Sequence, residues 1–247
     1  MKALITGASS GIGRDMAFYL GKLGYDLVLV ARNKKDLLKV KEKINTKVDV
    51  FDIDLSDIDN CYKLYDKVKD IDILINNAGF GLFGEFNETE LDKEIEMINL
   101  NVIALHTLCK LYLRDFVEKD NGRILNVASI AGFMPGPLMS TYYATKNYVL
   151  RLSEAIKEEL KRNKSNVSIS VLCPGPVRTN FDNVANVRFS LKGQDSKYVG
   201  RYAIDKLLNN KFYIVPGFKI KCLRTVSKIV PNRIMANMVY NSQKRKS

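Results

Sequence analysis

Short apolar runs rich in strand-forming residues recur along the chain at 2–6, 26–31, 47–53, 71–75, 123–128, 167–172 and 211–215. Between them, apolar positions return at helical spacing over about 12–23, 33–44, 57–68, 88–119, 141–163 and 196–209, which predicts amphipathic helices. Strict alternation of strand and helix predicts an α/β fold, a doubly wound parallel sheet of about seven strands with helices on both faces. Right-handed crossovers would join the strands. No linker, repeat or low-complexity run divides the 247 residues, so a single domain spanning 1–247 is expected. Ligands of such sheets bind beyond the carboxyl ends of the strands. Four loops placed there by the pattern carry the chemistry: 7–13, 76–79, Ser129 and Pro174-Gly175.

Composition narrows the chemistry. Hydrophobic residues make up 46% of the chain, enough for a buried sheet and too many for disorder. No apolar run reaches the roughly 18 to 20 residues that span a bilayer. The first strand begins at Lys2, so neither a signal peptide nor an N-terminal anchor is expected. Cys61, Cys109, Cys173 and Cys222 are scattered without metal-ligand spacing, as expected of reduced thiols in a cytoplasmic protein. The one histidine, His106, lies inside a predicted helix and reads as structural. A Ser-His-Asp triad is therefore excluded except through His106, and a zinc site is disfavoured. Proton transfer falls to Tyr, Lys or a carboxylate.

Tyr142 and Lys146 are spaced i, i+4 and share one helix face. An ammonium close to a phenol favours the phenolate and lowers its pKa, so the pair can exchange a proton with a carbonyl or an alcohol. The strand 2–6 runs directly into Thr6-Gly7-Ala8-Ser9-Ser10-Gly11-Ile12-Gly13, a turn that lets backbone approach a pyrophosphate at a helix N-terminus. Asn76-Asn77-Ala78-Gly79 follows the fourth strand, and Ser129 precedes Tyr142 by thirteen residues. In this order the motifs resemble the short-chain dehydrogenase/reductase superfamily, in its branch of roughly 250-residue Rossmann-type enzymes. The resemblance runs from Met1 to about Thr179.

The resemblance implies a nicotinamide cofactor held by Gly7, Ser9, Ser10, Gly11, Ile12 and Gly13, with Asn77, Ala78 and Gly79 beside the adenosine ribose. Asp54 and Leu55 would hold the adenine. Pro174, Gly175, Val177 and Thr179 match a motif that fixes the nicotinamide carboxamide. Ala31 stands where an NAD-preferring site usually carries an acid, Asp26 is at the wrong end of the strand, and Arg32 follows at once. Arg32 could pair with a 2′-phosphate, so NADPH (NADP+) is expected. By the same resemblance Tyr142 is the general acid of carbonyl reduction, Lys146 tunes Tyr142 and bonds the nicotinamide ribose, and Ser129 orients the substrate. Asn99 is the expected anchor of a water linking Lys146 to solvent, with Asn101 the competing choice. Tyr143 is misplaced by one residue for the catalytic role, and Thr145 and Ser140 read as helix surface and cap. No metal is expected.

Residues 180–200 fall where this family usually covers its substrate, with Phe181, Val184, Val187, Phe189 and Leu191 as the apolar face of a lid. Phe133, Met134, Pro135 and Leu138 would line the opposite wall. Such a pocket suits a hydrophobic carbonyl, a 3-oxoacyl thioester among others. The segment 216–247 holds eight cations and no acid, +8 of a net +12. Its apolar residues recur at helical spacing around Pro231, an amphipathic end suited either to an anionic membrane surface or to a subunit contact. A homodimer or homotetramer through helices 99–119 and 141–163 is expected, and an acidic acyl carrier protein is permitted as partner. Nucleic-acid binding is not expected, because charge alone supports it. The competing expectation from another class is an NADPH-binding membrane-attached or regulatory module with little turnover.

Overall fold

In a computed structural model, residues 1–179 and 193–244 are described. Seven parallel strands form one sheet: β1 (Lys2–Thr6), β2 (Asp26–Ala31), β3 (Val48–Asp52), β4 (Ile73–Asn76), β5 (Arg123–Val127), β6 (Ser168–Leu172) and β9 (Tyr213–Ile214). Their spatial order is β3-β2-β1-β4-β5-β6-β9. The chain winds outward from β1 to β3 and returns to the other side of β1 at β4, so the strand order reverses there. That reversal opens the crevice in which doubly wound sheets bind ligands.

Side-chain alternation along the strands feeds two cores. Ala3 and Ile5 pack with Met16, Leu20, Ala203 and Leu207, from α1 (Gly11–Lys22) and α7 (Ser196–Leu208). Leu4, between them, faces the other way. It packs with Leu64, Leu108, Tyr112 and Leu150, from α3 (Ile58–Lys67), α5 (Leu105–Glu118) and α6 (Ser140–Arg162). Buried amides tie the second layer to the sheet: Asn76 donates to Asn126 Oδ1 at 2.9 Å, and Asn126 donates to Ser153 Oγ at 3.0 Å. Capping carboxylates and amides start α2 (Lys34–Lys41), α3 and α7 at Asn33, Asp57 and Asp195.

Four departures from the sequence pattern matter for the site. The predicted helix 88–119 is α4 (Leu91–Ile98), a π-helical stretch (Asn99–Ala104) and α5. The wider π turn shifts the helical register and leaves Asn101 fully buried. The fourth strand ends at Asn76, so that residue belongs to the sheet and not to the loop. Within the predicted lid 180–200, Gln194–Asp195 forms a short strand, β8, beside β7 (Val177–Arg178), and Ser196 already begins α7. Phe181, Val184, Val187, Phe189 and Leu191 lie outside the described residues. Finally, the basic end folds as two helices flanking Pro231, α8 (Phe218–Ile229) and α9 (Asn232–Lys244), and their inner faces pack on this same chain. Among the described residues, no helix is long and apolar enough to cross a membrane.

Candidate active site

The glycine-rich loop is built for close backbone approach. Gly7 and Gly11 adopt φ of +65° and +55°, a region side-chain-bearing residues rarely enter. A Cβ on Gly13 would strike the Gly7 carbonyl and the Asn77 amide. Asn77 holds the loop in that shape, donating through Nδ2 to the carbonyls of Thr6 (3.0 Å) and Gly7 (3.2 Å). The Thr6 hydroxyl in turn accepts from the backbone N–H groups of Asn77 and Ala78. Ser10, at the start of α1, makes no side-chain cap. Helix α1 thus presents its first N–H groups, and the positive end of its dipole, to the cavity lined by Ser9, Ser10, Gly11 and Ile12. A backbone cradle with an uncapped helix N-terminus fits a pyrophosphate.

At the adenosine end, Arg32 leaves the tip of β2 and is held by carboxylates. Its Nη1 lies 2.9 Å from Glu96 Oε1 and 3.7 Å from Asp54 Oδ2. Lys93 donates to the other Glu96 oxygen at 2.8 Å. The Lys93 hydrogen bond, and that of Arg32 after it, hold the Glu96 carboxyl below its ordinary range despite partial burial. The cationic site expected for a 2′-phosphate is therefore partly neutralised by Glu96, a residue no motif signals.

The reacting end gathers Ser129, Tyr142 and Lys146. Ser129 follows β5, where its hydroxyl accepts from Ala131 N–H at 3.1 Å and hydrogen-bonds the Tyr142 phenol. Desolvation raises the Tyr142 pKa above its ordinary 10, and the Ser129 hydrogen bond opposes that shift. Lys146, 5% exposed, donates to the Val127 carbonyl at 2.9 Å. Burial lowers its pKa to about 8. Its Nζ lies 5.9 Å from the centre of the Tyr142 ring. The expected lowering of the Tyr142 pKa by Lys146 is thus not found: the ammonium is turned to a backbone carbonyl, and the phenol keeps its proton. A protonated phenol can donate, although the raised pKa makes it a weaker acid than a phenol tuned towards neutral pH.

Of the two candidate asparagines, Asn101 is the fully buried one. Asn101 Oδ1 accepts from Phe80 N–H at 3.0 Å, and its Nδ2 donates to Phe80 O and Thr145 Oγ1. A Cβ on Gly79 would meet both Asn101 Oδ1, at 2.7 Å, and Lys146 Nζ, at 3.4 Å, which puts Asn101 at the lysine's end of the site. Neither Asn99 nor Asn101 lines the cavity itself, so Asn101 acts from behind its wall. Thr145 is 3% exposed rather than on the helix surface, because Asn101 and the Tyr142 carbonyl engage its hydroxyl. Ser140 opens α6, and the cap position is Met139.

All these surfaces border one cavity of about 680 Å³. It is lined by every cofactor-binding and catalytic residue named from the sequence except Gly13 and Asn99. Gly13 acts from behind, packed on Gly7 and Asn77. On the substrate side, Met134 lines the wall as expected, but Phe133, Pro135 and Leu138 do not. Phe133 instead faces the Arg224 guanidinium, 5.4 Å from its ring centre. The remaining wall comes from α8 and α9 through Ile220, Leu223, Met235, Met238, Val239 and Gln243. Gln243, 2% exposed, donates to Tyr143 Oη at 2.9 Å and contacts Met139 Sδ. Helical periodicity was legible there, but nothing in it indicates that one stripe faces the chain's own cavity.

The family model described as short chain dehydrogenase matches residues 1–188. Human dehydrogenase/reductase SDR family member 7 is 34% identical over 211 residues, which cover 81% of this chain and 60% of that protein. The chain thus spans about three fifths of that relative's length. Mouse very-long-chain 3-oxoacyl-CoA reductase is 30% identical over 263 residues, covering 94% of this chain and 81% of that one. Among solved structures, a short-chain dehydrogenase from Sphingobium yanoikuyae in complex with NADPH superposes with a TM-score of 0.83 at 29% identity, covering 92% and 93% of the two chains. A Burkholderia phymatum member in complex with NAD reaches the same TM-score at 23% identity and attests the fold alone.

Proposed function

The chain belongs to the short-chain dehydrogenase family, and from that membership we propose that it is an NADPH-dependent reductase of a hydrophobic carbonyl compound, 3-oxoacyl thioesters being the first candidates. The observation that carries this reading is the meeting of Ser129, Tyr142 and Lys146 with the uncapped N-terminus of α1 around one cavity. When bound, a nicotinamide cofactor supplies the hydride. The Gly7–Gly11 backbone and the first turn of α1 bind the pyrophosphate, Asp54 and Leu55 border the adenine, and Arg32 faces the 2′-phosphate. Val177 and Thr179 hold the carboxamide end. Ser129 holds the carbonyl oxygen next to the phenol, and Tyr142 gives that oxygen its proton. Lys146 supplies positive charge behind Tyr142, and Asn101, in place of Asn99, fixes the backbone around it.

The apolar substrate wall of Met134, Met139, Leu223, Met235, Met238 and Val239 supports a hydrophobic substrate. Four methionines make that wall adaptable, which suits a flexible chain better than one rigid ring system. The mouse relative, a very-long-chain 3-oxoacyl-CoA reductase, points the same way. A dimer or tetramer is supported by apolar residues on the outer faces of α5 and α6, Val117 and Tyr148, and by Ile103 just before α5. His106, also there, hydrogen-bonds the Tyr148 hydroxyl. Peripheral contact with a membrane through 216–247, from the cytoplasmic side, belongs to the same proposal.

Cofactor oxidation followed with both nucleotides across 3-oxoacyl thioesters, bulky ketones and small aldehydes tests the reading. Turnover with NADPH and a long-chain 3-oxoacyl thioester is expected. Tight NADPH binding without turnover on any carbonyl would favour a nucleotide-binding module instead.

A further inference from the structure

Helix α8 has two apolar faces. At about 100° per residue, Ile220 and Leu223 fall on one side and line the active-site cavity. Phe218, Cys222, Val226 and Ile229 fall on the other and are exposed, Phe218 by 80% and Ile229 by 77%. The outer stripe is flanked by Lys219 on one edge and by Lys221 and Lys228 on the other, all exposed. Helix α9 repeats the plan: Met235 and Val239 are buried, while Ile234 and Met238 are exposed by 54% and 52%. None of Lys219, Lys221, Lys228 and Arg233 joins an ion pair among the described residues. Met238 belongs to both surfaces, lining the cavity while half exposed, as the exposed Ser242 one turn on also does, so the cavity opens to the surface beside the outer stripe.

We propose that the α8–α9 hairpin docks on an anionic lipid bilayer and that the mouth beside Met238 admits substrate directly from it. This rests on the reductase reading for the identity of what enters, but not for the docking. An exposed apolar stripe edged by cations buries its apolar side chains at the headgroup boundary and sets its charges against lipid phosphates. Charge selects the bilayer over a second copy of this chain. With eight cations and no acid from 216 onwards, pairing this face with itself would set like charges together.

Co-sedimentation with vesicles of phosphatidylcholine containing about one third phosphatidylglycerol tests the docking. Binding is expected to such vesicles, to weaken by roughly tenfold or more on pure phosphatidylcholine or in high salt, and to be lost in Phe218→Glu/Ile229→Glu. A thiol-reactive polarity-sensitive dye on Cys222, the exposed cysteine, should shift to the blue on the anionic vesicles. No binding to anionic vesicles, or equal binding by the double variant, overturns the docking. So does a double variant that changes from oligomer to monomer, since the face would then be a subunit contact. NADPH binding checks that the variant is folded. The entrance is tested with a vesicle-borne ketone, which anionic vesicles should make turn over faster while a small water-soluble ketone is unaffected; equal rates overturn it. Absence of turnover on every carbonyl, with vesicle binding intact, would remove the reductase reading and leave the docking standing.

Discussion

Replacing Lys146 by Met removes a charge that folding buries at a cost. The lysine's pKa falls from an ordinary 10.5 to about 8, chiefly through desolvation. At 1.36 kcal/mol per unit, keeping the folded lysine charged costs about 3 kcal/mol. The substitution also loses the hydrogen bond to the Val127 carbonyl, worth about 1 kcal/mol. The net expectation at pH 7 is a gain of about 2 kcal/mol, or roughly 4–8 °C in Tm for a chain of this size, although catalysis should be lost. The sign has a pH signature. Between about 8 and 10.5 the unfolded chain keeps a proton that the folded chain has released, so this group's contribution to stability rises with pH across that window. The penalty is therefore full below pH 8 and gone by about 10.5, and the gain in Lys146→Met must shrink in step. Thermal unfolding of both proteins without nucleotide, at pH 7 and near pH 10, reads the difference. A lower Tm at pH 7, or an equal gain at both pH values, would refute the burial argument.

Other expectations follow from the same geometry. Because kcat/KM reports titrations of the free enzyme, reduction should be level below pH 8 and fall above it as Lys146 loses its proton. A pH–rate series on Lys146→Arg should lack that limb, since the Tyr142 phenol titrates well above it. Glu96→Gln frees Arg32 from a partly exposed carboxylate, so fluorescence titration should show NADPH binding tightened by roughly two- to fivefold with NADH unchanged. Gly13→Ala drives a methyl into the Gly7 carbonyl and the Asn77 amide. It should weaken NADPH binding by at least roughly tenfold and lower Tm, as overpacking does, in titration and melting measurements. Ser129→Ala should lower kcat about a hundredfold or more with nucleotide affinity retained, measured in steady state.

The sheet was legible because its signals are local. Each strand is a short apolar run closed by Gly, Asn or Pro, and parallel pairing buries both faces. The cofactor loops were legible because backbone geometry restricts residue type, as at Gly7 and Gly11 with their positive φ. What stayed hidden depends on relations between distant segments. Asn99 and Asn101 differ only by which one a π turn carries inward, and periodicity assumes a regular helix. The Arg32–Glu96 pair joins residues 64 apart and leaves no spacing to read. The expected Tyr142 shift failed because adjacency on a helix does not say where an ammonium points, and the Val127 carbonyl draws it away. The C-terminal helices showed their periodicity but not their docking, and so the substrate wall at Met235 and Gln243 appears only in three dimensions.

The most direct test of the account is NADPH oxidation by the wild type and by Tyr142→Phe with a long-chain 3-oxoacyl thioester. The wild type should turn over. The variant should bind NADPH with unchanged affinity yet lose activity by about a hundred- to ten-thousandfold, the range for removing a positioned general acid. A Tyr142→Phe protein that reduces the substrate as fast as the wild type would contradict the proposal that Tyr142 delivers the proton.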